Sequence, residues 1–289
     1  MENEITLQAL TGRMKERLAS VVSPEEAQAM VRTIFGAFKG WTPVDIALKR
    51  DSTVSDFMTR KAMEAVERVV AGEPLQYVLG ETRFYGNTLA VTPAVLIPRP
   101  ETEELVDMIV SDNTGEDLRV LDLCTGSGCI AVSLARALRF PVVTAVDLSA
   151  AALSVARENG KRLRVKVDFR QEDVLSMRDD GSRYDIIVSN PPYVLDSERG
   201  QMSQRVLDHE PAMALFVPDS DPLRFYRAIV AYADDALVAG GRLYLEINPM
   251  EANAIRRLLA DAGLEEIDVI RDMTGRERFA KARKPSGDE

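Results

Sequence analysis

The sequence is poor in the residues from which several classes of functional site are built. It has only two cysteines, Cys124 and Cys129, and one histidine among 289 residues. These are too few for a disulfide framework or a cluster of Cys and His ligands, so we expect a reduced setting and no metal site. Acidic residues outnumber basic ones by 46 to 36, and the formal charge of -10 argues against direct binding to a nucleic-acid backbone.

Long apolar runs are also missing. The N-terminus lacks the basic start and apolar stretch of a signal peptide, and no run approaches the length of a membrane span. We therefore expect a cytoplasmic protein without a membrane partner. Hydrophobic residues still make up 46% of the chain, which is enough to bury a substantial core.

The periodicity of the apolar residues predicts three regions. Residues 1–71 follow helical spacing and predict a small N-terminal helical-bundle domain, with helices beginning near residues 24 and 43. Residues 72–100 mix aromatic and β-branched residues with Gly and Pro, which predicts a β-hairpin linker. Residues 101–289 alternate strands with helices, which predicts an α/β domain whose mostly parallel sheet is covered on both faces.

The elements of the third region can be placed by their apolar patterns. Strands are predicted over 119–123, 142–147, 165–169, 184–189, 242–247, 266–271 and 278–283, and helices over 128–138, 150–159, 222–238 and 250–262.

A glycine turn follows the first of these strands. Residues 120–128 read Val-Leu-Asp-Leu-Cys-Thr-Gly-Ser-Gly, an apolar strand that enters a turn opening a helix. Glycines allow the backbone to approach a ligand and to point amide N–H groups at it. Asp147 ends the next strand, where an acid can accept hydrogen bonds from a ribose diol or can cap the following helix. These features fit adenosine, NAD or a purely structural turn.

A second motif, Asn190-Pro191-Pro192-Tyr193, ends another apolar strand. The Asn190 side-chain oxygen and the Pro191 carbonyl form a pair of acceptors that matches the two hydrogens of an amide or aromatic NH2 group. Two such acceptors can orient the weakly nucleophilic nitrogen toward an electrophilic methyl group. This chemistry needs no metal, and it predicts that Asn190→Asp retains more activity than Asn190→Ala.

Together these motifs resemble the Rossmann-like, class I S-adenosylmethionine-dependent methyltransferases, among which N-P-P-Y marks those that methylate planar nitrogens. More specifically, the chain resembles the release factor glutamine methyltransferases, the PrmC/HemK family, over nearly its whole length. Besides the two motifs, the resemblance rests on residues 76–80, 84–86, 95–103, 210–215 and 272–276.

The resemblance implies S-adenosylmethionine as the cofactor. It implies that Thr125, Gly126, Ser127 and Gly128, with Cys124 beside them, line the methionine moiety, that Asp147 holds the ribose, that Asp173 or Val174 borders the adenine, and that Asn190 and Pro191 grip the substrate amide beside Pro192 and Tyr193. The substrate implied is the glutamine of the Gly-Gly-Gln loop of class I peptide chain release factors, with residues 1–71 as the docking domain. Two positions depart from the family: Cys124 replaces the usual glycine, and Asn248-Pro249-Met250 replaces a glycine-and-glutamine stretch.

Other functions share parts of this pattern. A nucleic-acid amino-methyltransferase acting on adenine or guanine would grip a flipped base with the same tetrapeptide, although the acidic composition counts against it. A ribosomal-protein glutamine methyltransferase shares the motifs. An NAD-dependent oxidoreductase would use Gly126, Gly128 and Asp147 but would leave the tetrapeptide unexplained.

Overall fold

A computed structural model describes residues 5–287 and divides them into two compact units. The first unit comprises the described residues up to Glu81 together with Gln204–His209. The second comprises Thr82–Ser203 and the described residues from Glu210 onward. Within residues 5–287, no helix combines the length and the apolar character needed to cross a membrane.

The first unit is mainly helical. Its elements in this part of the chain are β1 (Ile5–Thr6), α1 (Leu7–Leu18), α2 (Pro24–Lys39), α3 (Pro43–Leu48), β2 (Thr53–Val54), α4 (Asp56–Val70) and α5 (Leu75–Leu79).

The predicted starts of α2 and α3 are confirmed, and their caps explain them. The Ser23 hydroxyl accepts the Glu26 amide, and Thr42 and Asp45 form a reciprocal capping box. One feature of this region was not predicted. Residues of β1 pair antiparallel with those of β2, a two-residue ladder within a segment expected to be entirely helical.

The segment predicted as a hairpin linker contains a helix as well as a hairpin. Tyr77 lies in α5 rather than in a strand, because burial of Leu75 in the helical core outweighs the β propensity of its neighbours. The hairpin follows as β3 (Glu81–Phe84) and β4 (Asn87–Ala90). Its two-residue turn places Tyr85 and Gly86 at φ 45° and 71°, the left-handed conformations that tight hairpins require.

The rest of the second unit alternates strands and helices. Its elements are α6 (Pro100–Asp112), β5 (Arg119–Leu123), α7 (Cys129–Ala137), β6 (Val142–Asp147), α8 (Ala150–Leu163), β7 (Val167–Gln171), β8 (Tyr184–Ser189), β9 (Val194–Leu195), β10 (Phe216–Val217), α10 (Arg224–Ala236), β11 (Leu237–Glu246), α11 (Ala252–Asp261), β12 (Glu265–Arg271) and β13 (Glu277–Arg283), with α9 (Gln204–His209) of the first unit between β9 and β10. Short 3-10 turns cover Asp196–Gln201, Ala212–Ala214 and Pro249–Glu251.

Seven strands form one sheet in the order β7-β6-β5-β8-β11-β13-β12. The first five run parallel, and β13 pairs antiparallel with both β11 and β12. This confirms the mostly parallel α/β sheet expected from the sequence. Chain order reverses at β5, because β6 and β7 extend to one side and β8 lies on the other.

Alternate residues of the central strands enter two hydrophobic cores. Leu121 of β5 packs in a core with α10 and α11, whereas Val120 packs in a second core with α6, α7 and the hairpin. The sheet is therefore covered on both faces, as predicted. Its hairpin-side core includes Phe84 and Leu89, so the hairpin packs within the second unit.

Some element bounds differ from those predicted. Helix α6 was not predicted, although its buried residues Thr102, Leu105, Val106 and Ile109 follow the spacing of one helix face. Strand β11 begins at Leu237, five residues before the predicted start at 242, and its register against β8 shifts between Leu237 and Arg242. Glycines at 240 and 241 lie within that irregular stretch.

Candidate active site

The candidate site is a cleft in the second unit, at the carboxyl ends of β5 and β8. Leu123 and Ser189 are paired residues at the ends of these strands, so Cys124 and Asn190 leave the sheet side by side. A reversal of chain order opens a ligand crevice at this position in α/β sheets. The glycine loop (residues 124–128) and the acceptor loop (residues 190–193) both start there.

Three residues of the glycine loop have a left-handed backbone conformation, and one of the three is not a glycine. Cys124, Gly126 and Gly128 have φ values of 60°, 55° and 78°. Glycine tolerates this left-handed region, but a cysteine there is strained. At Gly128 space is limiting as well, because a Cβ would lie 3.0 Å from Cβ of Ala156 on α8.

The buried carboxyl group of Asp122, in β5, anchors the glycine loop through hydrogen bonds. Asp122 Oδ2 accepts hydrogen bonds from the Thr125 hydroxyl at 2.5 Å and from the Ala131 amide at 3.2 Å. Burial raises the pKa of Asp122 to about 7, even though both hydrogen bonds favour its ionised form. Its other oxygen, Oδ1, is buried and has no hydrogen-bond partner in the part of the chain that the structure describes.

Asp147, predicted to hold a ribose, lines the cleft and also supports the glycine loop. Its Oδ2 accepts the Gly126 amide at 2.8 Å and its Oδ1 accepts the Ser149 amide at 2.9 Å. The alternative role of helix cap falls to Ser149, whose hydroxyl accepts the Ala152 amide. Burial raises the pKa of Asp147, and the two amide donors oppose that rise.

The thiol of Cys124, in the glycine loop itself, lies in the negative potential of three aspartates. The pKa of Cys124 is raised by burial first, and then by the charges of Asp147, Asp122 and Asp173. Burial likewise raises the pKa of Cys129 to about 12. Both thiols therefore stay protonated at neutral pH, which argues against a nucleophilic role for Cys129.

Asp173 and Val174, predicted to border an adenine, both line the cleft. The Asp173 carboxylate accepts the Leu175 amide at 2.9 Å, which fixes the turn after β7. Val174 is buried and contributes to the core shared with α10. Leu148 and Phe225 add further apolar surface to this end of the cleft.

The acceptor loop is held by side chains from distant parts of the chain. Asn190 Nδ2 donates to the Thr102 hydroxyl at 3.3 Å, and that hydroxyl donates to Glu246 Oε2 at 2.7 Å. Tyr193 donates its hydroxyl proton to the other oxygen of Glu246 at 2.9 Å. Thr102 and Glu246 are both buried, so the hydrogen bond between them is shielded from water.

Strand β13 supplies the positive charge of this network. Arg278 lies 3.4 Å from the Tyr193 hydroxyl and pairs with the buried Asp272 at 3.3 Å. Burial raises the pKa of Glu246, while hydrogen bonds from Thr102 and Tyr193 and the charge of Arg278 oppose the rise. Burial also raises the pKa of Tyr193 well above its usual value, and the charge of Glu246 adds to this.

The second departure from the family pattern lies behind the acceptor loop. Asn248 Nδ2 donates to the Tyr193 carbonyl at 3.1 Å and to Glu198 Oε2 at 2.8 Å. Its Oδ1 accepts the Met250 amide at 3.0 Å. Asn248 therefore fixes the backbone that leaves the N-P-P-Y tetrapeptide.

Arg99 pairs with Glu210 at the rim of the cleft. The Arg99 guanidinium lies 2.6 Å from Glu210 Oε1, and Glu210 Oε2 accepts the Ile97 amide at 3.1 Å. The Glu210 side chain is 2% exposed. This ion pair, in which only the carboxylate is buried, joins the segment before α6 to the segment after α9.

Most of the residues predicted from sequence line the cleft: Cys124, Thr125, Gly126, Ser127, Asp147, Asp173, Val174, Asn190 and Pro192. Gly128 instead begins α7 against α8, and Tyr193 faces Glu246. Pro191 is buried next to the lining residues. Sequence reasoning missed the roles of Thr102, Glu246 and Arg278, which are far from the tetrapeptide in the chain. The only signals were the position of Thr102 within the family-like stretch 95–103 and that of Arg278 just after 272–276, and Glu246 had no such signal.

Comparisons with known proteins agree with this geometry. Residues 10–80 match the family described as the PrmC N-terminal domain, and residues 101–213 match the methyltransferase small domain. A release factor glutamine methyltransferase of Bacteroides thetaiotaomicron is 42% identical over 95% of this chain and 99% of that protein. One from Flavobacterium psychrophilum is 37% identical over 92% of this chain and 95% of that protein.

A solved structure shows the same fold. A methyltransferase from Pyrococcus furiosus has a TM-score of 0.51 with this chain at 18% identity, over 78% of this chain and 98% of that one. The predicted Rossmann-like methyltransferase fold is thereby confirmed.

Proposed function

This chain belongs to the release factor glutamine methyltransferase family, and we propose that it transfers a methyl group from S-adenosylmethionine to the glutamine side chain of the Gly-Gly-Gln loop of class I peptide chain release factors. The observation that carries the proposal is the position of Asn190, which lines the same cleft as the glycine loop and Asp147. A methyl donor held at the glycine loop and a substrate amide held at Asn190 would meet in this cleft. Such a substrate belongs to the translating cytoplasm, and the proposal assigns the chain to that compartment.

The residues of the glycine-loop end fit S-adenosylmethionine. The cofactor is a sulfonium cation with an ammonium group. The carboxyl groups of Asp122, Asp147 and Asp173 give this end of the cleft a negative electrostatic potential, which would attract such a cation. Asp122 is fully buried and does not line the cleft, so it would contribute charge rather than a direct contact. Asp147 would accept the ribose hydroxyls through lone pairs that its two amide donors leave free.

At the acceptor end, the chain's own residues would orient the substrate amide. When bound, the cofactor supplies an electrophilic methyl group on sulfur and leaves as S-adenosylhomocysteine. Within residues 5–287, Asn190 Oδ1 makes no hydrogen bond, so it can accept one hydrogen of the glutamine NH2 while the Pro191 carbonyl accepts the other. The two acceptors would stabilise the nitrogen as it gains positive character, and the nitrogen then releases a proton to solvent.

The test is methyl transfer from labelled S-adenosylmethionine to a purified class I release factor. We expect mass spectrometry to find the modification on the Gly-Gly-Gln glutamine and to find none when that glutamine is replaced by alanine. Parallel reactions should contain ribosomal proteins and nucleic acid, the substrates of the two rival methyltransferase functions. Methylation of either one with none on the release factor would overturn the proposal.

We further infer that the helical first unit contributes affinity for the intact protein substrate. Helix α3 has no buried residue, and Val44 and Leu48, one helical turn apart, are 66% and 79% exposed. The double substitution Val44→Ser with Leu48→Ser should raise KM for the intact release factor but not for a short glutamine peptide. Val21→Ser, a matched change at an exposed valine outside α3, should leave both values unchanged. Equal effects on both substrates would contradict the inference.

A further inference from the structure

We propose that Thr102 is a positioning residue that sets which way the Asn190 side-chain amide faces, by passing on the hydrogen-bonding direction imposed by the buried carboxylate of Glu246. The proposal rests on the proposed function in one respect, namely that Asn190 uses its amide oxygen to hold the substrate. It concerns a residue that contributes no group to methyl transfer. Thr102 lies in the first turn of α6, and Glu246 ends β11.

The direction of each hydrogen bond follows from what a carboxylate can do. An ionised carboxylate only accepts, so both hydroxyl groups that contact Glu246 must donate to it. These are the hydroxyls of Thr102, at 2.7 Å, and Tyr193, at 2.9 Å. The single hydroxyl proton of Thr102 is therefore committed to Glu246.

This commitment leaves Thr102 with only lone pairs to offer Asn190. The Asn190 side chain lies 3.3 Å from the Thr102 oxygen, so it must present its NH2 group there. The amide oxygen is then on the opposite side of the planar group, where it has no hydrogen-bond partner within residues 5–287. Because Asn190 lines the cleft, that oxygen is the acceptor available to a substrate NH2. In the flipped orientation, the Asn190 NH2 group would face the NH2 group of the substrate, and two donors cannot form a hydrogen bond with each other.

The same logic makes the orientation depend on the charge of Glu246. A protonated Glu246 can donate to Thr102, whose own proton is then free to bond the Asn190 oxygen and favour the flipped amide. The charged and titratable groups that interact with Glu246 are Tyr193, Arg278, Glu101, Tyr226 of α10 and Cys129 of α7. Burial, the largest influence, raises the pKa of Glu246. We therefore expect kcat to fall as pH drops through a value above that of an ordinary glutamate.

Substitutions at Thr102 test the proposal through kinetics. Thr102→Val keeps the shape but removes the hydroxyl, and loss of one hydrogen bond that selects the productive amide predicts about a tenfold fall in kcat. Thr102→Ser restores the hydroxyl and should recover most of that loss. S-adenosylhomocysteine affinity should be the same in all of them. The matched control is Thr144→Val, a change at a buried threonine of β6 outside the cleft lining, which should leave kcat unchanged.

Two further variants separate positioning from a merely structural role. In an Asn190→Ala background, Thr102→Val should have no additional effect on kcat, because there is no amide left to orient. Glu246→Gln carries a donor at every pH, so it should lower kcat and remove the acidic limb of the pH profile. Additive losses in the double variant, or an unchanged acidic limb in Glu246→Gln, would overturn the proposal.

One measurement decides the inference without any methyl acceptor. In the full chain labelled with ¹⁵N at asparagine, the Asn190 side-chain NH2 signal is identified by its loss in Asn190→Ala. Its hydrogen exchange should be slow in the wild type and in Thr102→Ser, and about tenfold faster in Thr102→Val. Equal exchange in the Ser and Val variants would refute the proposal even if release factors are methylated. Slow exchange that Thr102→Val accelerates would support it even if they are not.

Discussion

The glycine loop and the acceptor loop leave neighbouring strands of one sheet, yet different kinds of interaction hold them. Most partners of the glycine loop are within about one β-α-β unit of it: Asp122, Val146 and Asp147. The acceptor loop depends instead on Thr102, Glu246 and Asn248, which are more than fifty residues away in the chain.

This contrast has a functional counterpart in the proposed reaction. A cofactor offers the same groups in every turnover, and a loop of backbone amides and carboxylates is sufficient to receive it. The acceptor nitrogen is weakly nucleophilic, so the orientation of a single amide matters to the rate. A buried side-chain network, which fixes the direction of each proton, meets that need better than backbone alone. Substitutions in the acceptor loop should therefore lower kcat, and substitutions in the glycine loop should weaken S-adenosylhomocysteine binding.

The largest expected effect is on the acceptor loop. Asn190→Ala removes an acceptor that acts chiefly as the nitrogen gains charge, so kcat should fall by roughly a hundredfold to a thousandfold. S-adenosylhomocysteine affinity, measured by calorimetry, should change little. A folded Asn190→Ala protein with near-normal kcat would show that the substrate amide is held elsewhere.

The structure changes the expectation for Asn190→Asp. From the sequence, a carboxylate that keeps an acceptor in place should retain more activity than alanine. In the structure the Asn190 NH2 faces lone pairs of Thr102, and aspartate has no proton to offer them. A new negative charge would also lie near the buried Glu246. We now expect Asn190→Asp to be no more active than Asn190→Ala, and higher activity would contradict the assigned proton directions.

The next effect belongs to the glycine loop and should appear in affinity. Asp147→Ala removes two charge-assisted hydrogen bonds, from the amides of Gly126 and Ser149, and the proposed ribose acceptor. A loss of about 1.5 to 3 kcal/mol would weaken S-adenosylhomocysteine binding about tenfold to a hundredfold. Asp147→Asn keeps one acceptor oxygen and should lose less. If Asp147→Ala lowered kcat at saturating cofactor as much as it lowered affinity, the division between the two loops would fail.

A third prediction concerns the pH dependence of stability without cofactor. The folded protein raises the pKa of Asp122 from 3.8 to about 7, so between these values it binds a proton that the unfolded chain releases. Stability contributed by this group is therefore present at low pH and is lost as pH rises toward about 7. The slope is at most about 1.4 kcal/mol per pH unit for one proton. Asp122→Asn should flatten the fall in thermal midpoint across this range, and an unchanged slope would contradict burial of an ionisable group.

The same contrast explains which parts of the molecule could be predicted from sequence. The strands 119–123, 142–147 and 184–189 were predicted to the residue, because each is a short, mostly apolar segment rich in Val, Ile and Leu. The cleft-lining residues of the glycine loop follow from one contiguous motif. These features can be predicted because each is contained in one short stretch of sequence.

The support of the acceptor loop could not be predicted in the same way. The bond from Tyr193 to Glu246 spans 53 positions and that from Asn190 to Thr102 spans 88. No periodicity links such residues, and only the topology of the sheet brings β11 and α6 to the end of β8. Helix α5 was missed for a related reason, since packing of Leu75 in the helical core decided its conformation.

The smallest effect tests the conformation of the glycine loop itself. Cys124 stands where the family usually has glycine and has a φ of 60°, a conformation that costs a non-glycine residue about 1 to 2 kcal/mol. Replacing it by glycine relieves that strain but also removes a side chain that packs on the core around Leu123. Cys124→Ala supplies the control, because it loses the thiol and keeps the strain. We expect the glycine variant to exceed the alanine variant in free energy of unfolding by about 0.5 to 1 kcal/mol, since the greater freedom of glycine in the unfolded chain offsets part of the relief. Denaturant titration can resolve a difference of this size when the slopes agree. Equal stability of the two variants would show that the loop relaxes around alanine, and the left-handed backbone would then be a property of the cysteine rather than a requirement of the turn.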